Sequence, residues 1–313
     1  MIYFDNGSTS FPKAPGVGAA MASLLEHAGF NINRGGYEGA YAVADMVLDT
    51  REMLCKLFDW QDPKSVCFTG NVTQSLNLIL KGFLKPGDHV VVSSMEHNAV
   101  MRPLNQLAAQ GVTFDAAQAN PDGILPVERV EALLRPETRL VVMTHASNIC
   151  GTILPIMEVG ALCKAKGIPF VVDAAQTAGI LPLSMKALHT AAIAFTGHKG
   201  LLGPQGIGGM VIREEFAQQM EPLISGGTGS VSDTEYMPHF LPDRFESGTM
   251  NLPGIAGLNA SLKYIEETGL DKIYRTEMEL CGRFLSGVHG LKNVRIAGKD
   301  DLDGRVATVS LDF

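Results

Sequence analysis

Lys199 and Asp173 are the residues whose surroundings point most directly to covalent chemistry. Lys199 follows the apolar run 191–195 and precedes a glycine-rich stretch, 200–209. An amine held at a strand end, partly out of water, has a lowered pKa and a free lone pair, which suits it to form a Schiff base. Asp173 ends the apolar run 170–172, so its carboxylate is expected in the same crevice. A carboxylate there keeps a pyridine nitrogen protonated and makes the ring an electron sink, which is what pyridoxal 5′-phosphate requires of its protein. Each pKa unit of such stabilisation is worth about 1.4 kcal/mol. The competing readings are a solvated loop lysine and an aspartate that caps a helix. Capping alone does not account for Lys199.

Other strand ends carry polar groups where a plain connection would need only a turn. They are Thr69-Gly70-Asn71-Val72-Thr73, Glu96-His97-Asn98, His145-Ala146-Ser147-Asn148, Asp173-Ala174-Ala175-Gln176 and Thr196-Gly197-His198-Lys199. The segment with Val72 and Thr73 joins a strand to a helix start, where N–H groups, the Thr73 hydroxyl and the helix dipole suit a phosphate. His198 is a further donor to that phosphate. Gln176 is placed to donate to a ring hydroxyl, and His97 to stack on the ring face and carry protons.

The elements that must position these residues follow from periodicity. Short apolar runs at 65–69, 89–93, 140–144, 170–172, 191–195 and 207–212 alternate with helical stretches. Runs that are apolar on both faces and separated by helices predict an α/β protein with a mainly parallel sheet covered on both sides. After Asn251 the character changes: helices are predicted at about 255–268 and 274–289. Residues 306–313 then alternate, with Ala307, Val309, Leu311 and Phe313 on one face. The expected division is a large cofactor-binding domain, 1–252, whose first residues pack with the second, and the start of a small C-terminal α/β domain, 253–313. A lone terminal strand with an apolar face needs partners, so the small domain is expected to continue beyond Phe313.

Composition sets the outer limits. The 313 residues are 46% hydrophobic and 19% charged, with a net charge of -8, which favours a well-filled core and gives no electrostatic reason for a nucleic-acid partner. Neither a signal peptide nor a membrane-length apolar run is evident, and the expected location is the cytoplasm. The five cysteines, Cys55, Cys67, Cys150, Cys163 and Cys281, are scattered and lack a CxxC pair. That argues against disulfides and against a metal site.

Taken together, the strings IYFDNGSTSFPKAP, NINRG, FTGNVTQSLN, SSMEHNA, THASNICGTILPI, VVDAAQTAG, FTGHKGLLGPQGIGGMVI and RFESGTMNLPGIAGLNASLKYI resemble the class V aminotransferase-fold enzymes, and within them the cysteine desulfurases. The resemblance covers essentially the whole chain and implies the fold-type-I architecture of aspartate aminotransferase. By position it implies that Lys199 holds the cofactor and that His97 stacks on it and shuttles protons. Asp173 faces the pyridine nitrogen, while Gln176 and Asn148 address the ring oxygen and the substrate. Val72, Thr73, Thr196 and His198 surround the phosphate, and Thr249 reaches the phosphate of a neighbouring subunit in a homodimer. The implied reaction converts L-cysteine to L-alanine and passes sulfur on as a persulfide, toward an acceptor protein and iron–sulfur clusters. The sulfur-carrying cysteine and the carboxylate-binding arginine are expected beyond Phe313. Cys150, nearest the site, falls at a motif place not used for sulfur transfer. Asn71 and Gln74 stand where the family more often shows Gly and Glu. Another class V reaction (transamination, or a selenocysteine or cysteine-sulfinate lyase) and a binding protein without turnover are the alternatives.

Overall fold

The computed structural model describes residues 2–32, 35–231 and 233–313. Asn33 and Arg34 of the NINRG string lie outside these residues. Helices α1 (Val17–His27) and α2 (Glu38–Leu57) lead into an alternating series. It runs β1 (Val66–Thr69), α3 (Val72–Phe83), β2 (His89–Ser93), α4 (Asn98–Ala108), β3 (Thr113–Ala117), α5 (Val127–Glu131), β4 (Thr138–Thr144), α6 (Ile156–Lys166), β5 (Phe170–Asp173), β6 (Ala192–Thr196), β7 (Gly208–Ile212) and α7 (Glu214–Ala217). Two longer helices, α8 (Leu252–Thr268) and α9 (Leu270–Val288), and two short strands, β8 (Arg295–Ala297) and β9 (Ser310–Asp312), complete the chain.

Among the described residues seven strands form one sheet in the order β1-β7-β6-β5-β4-β2-β3, and β7 alone runs against its neighbours. The strands read as continuous apolar runs because both faces are covered. Val91, Val141, Met143, Val172, Ile193 and Phe195 pack toward α2, α6 and α8. Their alternates, including Val90, Val92, Leu140, Val142, Val171 and Ala194, pack toward α3 and α4. No helix of the described residues is long and apolar enough to cross a membrane.

Two features depart from the periodicity. Strand β3 escapes the apolar-run signal because it is an edge strand: of its five residues only Ala117 is buried, yet all five pair with β2. At the C-terminus the predicted strand 306–313 forms only over Ser310–Asp312, antiparallel to β8, and Phe313 stays 89% exposed rather than facing a core. The cause lies just upstream. Arg305, fully buried, donates to the carbonyls of Lys299, Cys150 and Thr308, at 2.6, 3.3 and 2.5 Å. Val306 N–H donates to Gly151 O at 2.9 Å. Residues 305–308 are thereby docked on the Ser147–Gly151 turn instead of extending into a sheet.

Phe58, at the end of α2, is fully buried with its ring centroid 5.5 Å from that of Phe195, the last apolar residue before the Lys199 turn. Truncation to Phe58→Ala removes that packing and leaves a cavity, and is expected to cost about 3–5 kcal/mol in equilibrium chemical unfolding. A loss below about 1 kcal/mol would show that the site does not rest on this core.

Candidate active site

The parallel strands bring their carboxyl ends to one edge, and the polar residues predicted there converge. Thr144 and Asp173 are ladder partners on β4 and β5, and Asp173 pairs with Ala194 on β6. Lys199 follows β6 by three residues in a tight turn closed by Leu202 N–H to Lys199 O and Gly203 N–H to Gly197 O, both 2.8 Å. The turn is tight because Gly200 lies against Gly179: a Cβ on Gly200 would come within 2.6 Å of the Ala178 carbonyl.

Asp173 is 2% exposed, and its Oδ1 accepts from Ala175 N–H at 2.9 Å. Burial pushes its carboxyl above the usual range, and the Ala175 N–H and the charges of Lys199 and His97 partly offset this. The Lys199 amine is held below its ordinary value, chiefly by burial, with the Asp173 charge opposing. A buried carboxyl and a half-buried amine that shift in opposite directions and feel one another are the electrostatic signature of a functional pair. The aspartate does accept a backbone N–H, as a cap would, but at a turn rather than a helix start.

His97 caps α4: its Nδ1 accepts from Ala99 N–H at 3.0 Å, which leaves Nε2 as the proton-bearing ring nitrogen. His97 and Thr73 line one cavity of about 290 Å³, together with Asn77, Lys81, Asn98 and Arg102. A larger cavity, about 620 Å³, lies among α2, α6 and α8. Of the residues just past the strand ends it includes only His145, whose Nδ1 meets the Thr177 hydroxyl at 2.9 Å on the far side of the sheet. The strand-end chemistry locates the site better than cavity size does.

The residues expected around a phosphate divide unevenly. Thr196 Oγ1 and His198 Nδ1 are buried without a partner; among the described residues only Thr190 Oγ1 shares that state. Buried polar atoms left unpaired are costly and rare, and two of these three flank Lys199. Such a pair fits a ligand that brings its own acceptors, as a phosphate does. The β1–α3 turn is partly used up. Asn71 Oδ1 takes the Gln74 N–H at 3.0 Å, and Gln74 Oε1 takes the Gly70 N–H at 2.8 Å, a reciprocal cap built by the two residues that differ from the usual family pattern. Val72 is buried and Thr73 exposed, so this loop offers fewer free N–H groups than its sequence suggests.

Gln176 is buried, and its Nε2 donates to Gly7 O at 3.3 Å. Asn148 sits half-buried in the turn 147–151, whose Ser147 Oγ accepts from Ile149 and Cys150 N–H at 3.2 and 3.3 Å. Thr249 lies exposed on a loop apart from this cluster. That loop is anchored by a bidentate pair, Arg51 to Glu246 at 3.0 and 2.6 Å, and Phe68 N–H adds a third bond to the carboxylate.

Sequence reasoning missed the N-terminal strap. Ser10 N–H and Lys13 Nζ both donate to His198 O, at 3.0 and 2.8 Å, and Ala14 N–H reaches Leu202 O at 3.0 Å. Residues 9–14 thus clamp the Lys199 turn from outside. Burial, then the Lys199 and Lys13 charges, hold His198 below its ordinary pKa. The quoted string that contains Ser10 and Lys13 was the available signal.

A reversed seventh strand beside a parallel set, with lysine and aspartate at neighbouring strand ends, defines the fold-type-I class typical of pyridoxal-phosphate enzymes. More narrowly, the chain belongs to the aminotransferase class-V family, which it matches over residues 2–313. It is 34% identical to a probable cysteine desulfurase of Pyrococcus abyssi, over 100% of this chain and 78% of that protein. It is 30% identical to a cysteine desulfurase of Escherichia fergusonii, over 98% and 77%. The solved apo structure of the Thermococcus onnurineus NA1 cysteine desulfurase matches with a TM-score of 0.93 at 34% identity, covering 100% of this chain and 78% of that one. SspA in complex with cysteine matches with a TM-score of 0.74 at 26% identity, covering 84% and 73%.

The unpartnered Thr196 hydroxyl separates folding from ligand binding. Thr196→Val removes a buried group that pairs with nothing in the protein, so the cofactor-free variant should unfold at an unchanged free energy or one raised by about 1 kcal/mol. Its affinity for pyridoxal phosphate should fall by about tenfold. Equal affinity in fluorescence titrations of both proteins would remove Thr196 from the phosphate site.

Proposed function

We propose that this protein is a pyridoxal-phosphate-dependent cysteine desulfurase that converts L-cysteine to L-alanine and hands the sulfur on as a persulfide. The observation that carries the reading is the pair of unpartnered donors, Thr196 and His198, beside Lys199 and Asp173, which burial shifts in opposite directions. Lys199 would hold the cofactor, Asp173 its ring nitrogen, and Thr73, Thr196 and His198 its phosphate, with Val72 at the same loop and Thr249 serving the other subunit of a homodimer. When bound, the cofactor supplies an electron sink that stabilises negative charge on the substrate's α-carbon.

The chain's own residues supply orientation and proton handling. Burial holds the Lys199 amine below its ordinary pKa, so Nζ is a competent proton acceptor once free. His97 carries a proton on Nε2, the nitrogen not engaged by the Ala99 N–H. Asp173, kept from solvent, would face the ring nitrogen. Gln176 and Asn148 would address the ring oxygen and the substrate. L-Cysteine as substrate is supported by the similarity to cysteine desulfurases and to SspA, whose structure contains cysteine.

The sulfur-carrying thiol is none of the five cysteines in this reading. All are buried, and burial pushes Cys55 up to about 11, Cys163 up to about 12, and Cys67 and Cys281 upward as well. Burial also raises Cys150, but bonds with Thr152 and Ser147 outweigh it and leave this thiol below its usual value, inside the Ser147–Gly151 turn. The match to the aminotransferase class-V family also supports, as a second reading, a class V reaction that needs no enzymic cysteine.

In the full-length protein loaded with cofactor, incubation with L-cysteine and a thiol reductant should release alanine and sulfide in equal amounts, and Lys199→Ala should abolish both. Amino transfer to a keto acid, without sulfide, would establish the second reading instead. A wild-type protein that binds no pyridoxal phosphate would overturn both.

A further inference from the structure

Glu96 immediately precedes His97, and its carboxyl bridges the ends of two strands. Its Oε1 accepts from the Ser93 hydroxyl at 2.5 Å, and both carboxyl oxygens accept from the Thr144 N–H, at 2.9 and 3.1 Å. Thr144 lies beyond the last β2–β4 pair, Val92 with Val142. Its N–H therefore has no main-chain carbonyl of β2 to meet, and the Glu96 carboxyl takes that place. The Ser93 oxygen in turn accepts from Met95 N–H at 3.2 Å, which closes the turn leading to His97. Asp173 is the ladder partner of Thr144 on the other side, so the same carboxyl neighbours the cofactor-facing aspartate.

We propose that Glu96 is a positioning residue that locks the β2–α4 turn, and with it His97, onto the ends of β4 and β5 beside Asp173. The inference rests on the site assigned above. Both donors come from neutral groups, Ser93 on β2 and Thr144 on β4. The charged group facing Glu96 is Asp173 from β5, and Asp173 in turn feels Lys199 and His97. His145, next on the chain after Thr144, turns its ring to Thr177 on the other face. Burial first, and the Asp173 charge in addition, push the Glu96 carboxyl up to about 8. That shift lessens the negative charge that Glu96 would place next to Asp173 at neutral pH.

The sign of the linkage follows. The folded protein keeps this proton up to about 8, whereas a free glutamate gives it up near 4.5. The stabilising contribution is therefore complete below about 4.5 and is lost as pH rises to about 8. Glu96→Gln keeps the acceptor oxygen and cannot ionise, so it should remove this loss from a plot of Tm against pH.

The deciding measurement is amide hydrogen exchange over residues 94–100 in cofactor-free protein at neutral pH, with the His97 ring resonance followed by NMR. Glu96→Ala should speed exchange by about tenfold and shift the His97 resonance, while Glu96→Gln should restore both to within about twofold of wild type. If Glu96→Ala does not fold, Ser93→Ala removes one donor and should give an increase of about threefold. Exchange as slow as wild type in the alanine variants, or as fast in Glu96→Gln as in Glu96→Ala, overturns the proposal. Because these readouts need no cofactor, failure of the site assignment appears separately, as failure to bind pyridoxal phosphate.

Discussion

An amine and a carboxylate withdrawn from water at the ends of β6 and β5 set the terms for the rest of the structure. Neither group is comfortable there: burial pushes the Asp173 carboxyl up and the Lys199 amine down, and each partly relieves the other. Desolvating two such groups costs more than their mutual attraction returns unless further bonds hold them in place. Such placement is a poor way to gain stability and a good way to tune reactivity.

Much of the surrounding architecture can be understood as support for that pair. The strap at residues 9–14 ties down the carbonyl of His198. Glycines at 179 and 200 let two turns approach where any side chain would collide. Glu96 completes the end of β4, and Arg51 with Glu246 pins the loop that carries Thr249 to β1 through Phe68. Arg305 performs a similar service behind Asn148, by docking residues 305–308 on the turn at 147–151. These supports come from segments far apart in sequence, so the site is a product of the tertiary fold rather than of any local motif.

That distribution explains what could be read from the chain beforehand. The central strands were legible because burial on both faces leaves unbroken apolar runs, and the polar residues after them are conspicuous for the same reason. Strand β3 was not, since an edge strand with one buried residue carries no such run. The terminal alternation at 306–313 suggested a longer strand than forms, because a buried arginine redirects the backbone and no periodicity reports that. The loop at 70–74, expected to hold a phosphate, looked like a row of free donors, but the side chains of Asn71 and Gln74 had already claimed two of them. Lys13 and Glu96 act through long-range bonds to a carbonyl and an N–H, which a one-dimensional reading does not display.

The central claim is that Lys199 is the attachment point of the cofactor. It is tested most directly by mixing the purified protein with pyridoxal phosphate, reducing with borohydride and mapping the modified peptides by mass spectrometry. The account predicts the reduced phosphopyridoxyl group on Lys199, with loss of labelling in Lys199→Ala. Labelling that persists in that variant, or that falls on exposed lysines alone, would contradict it.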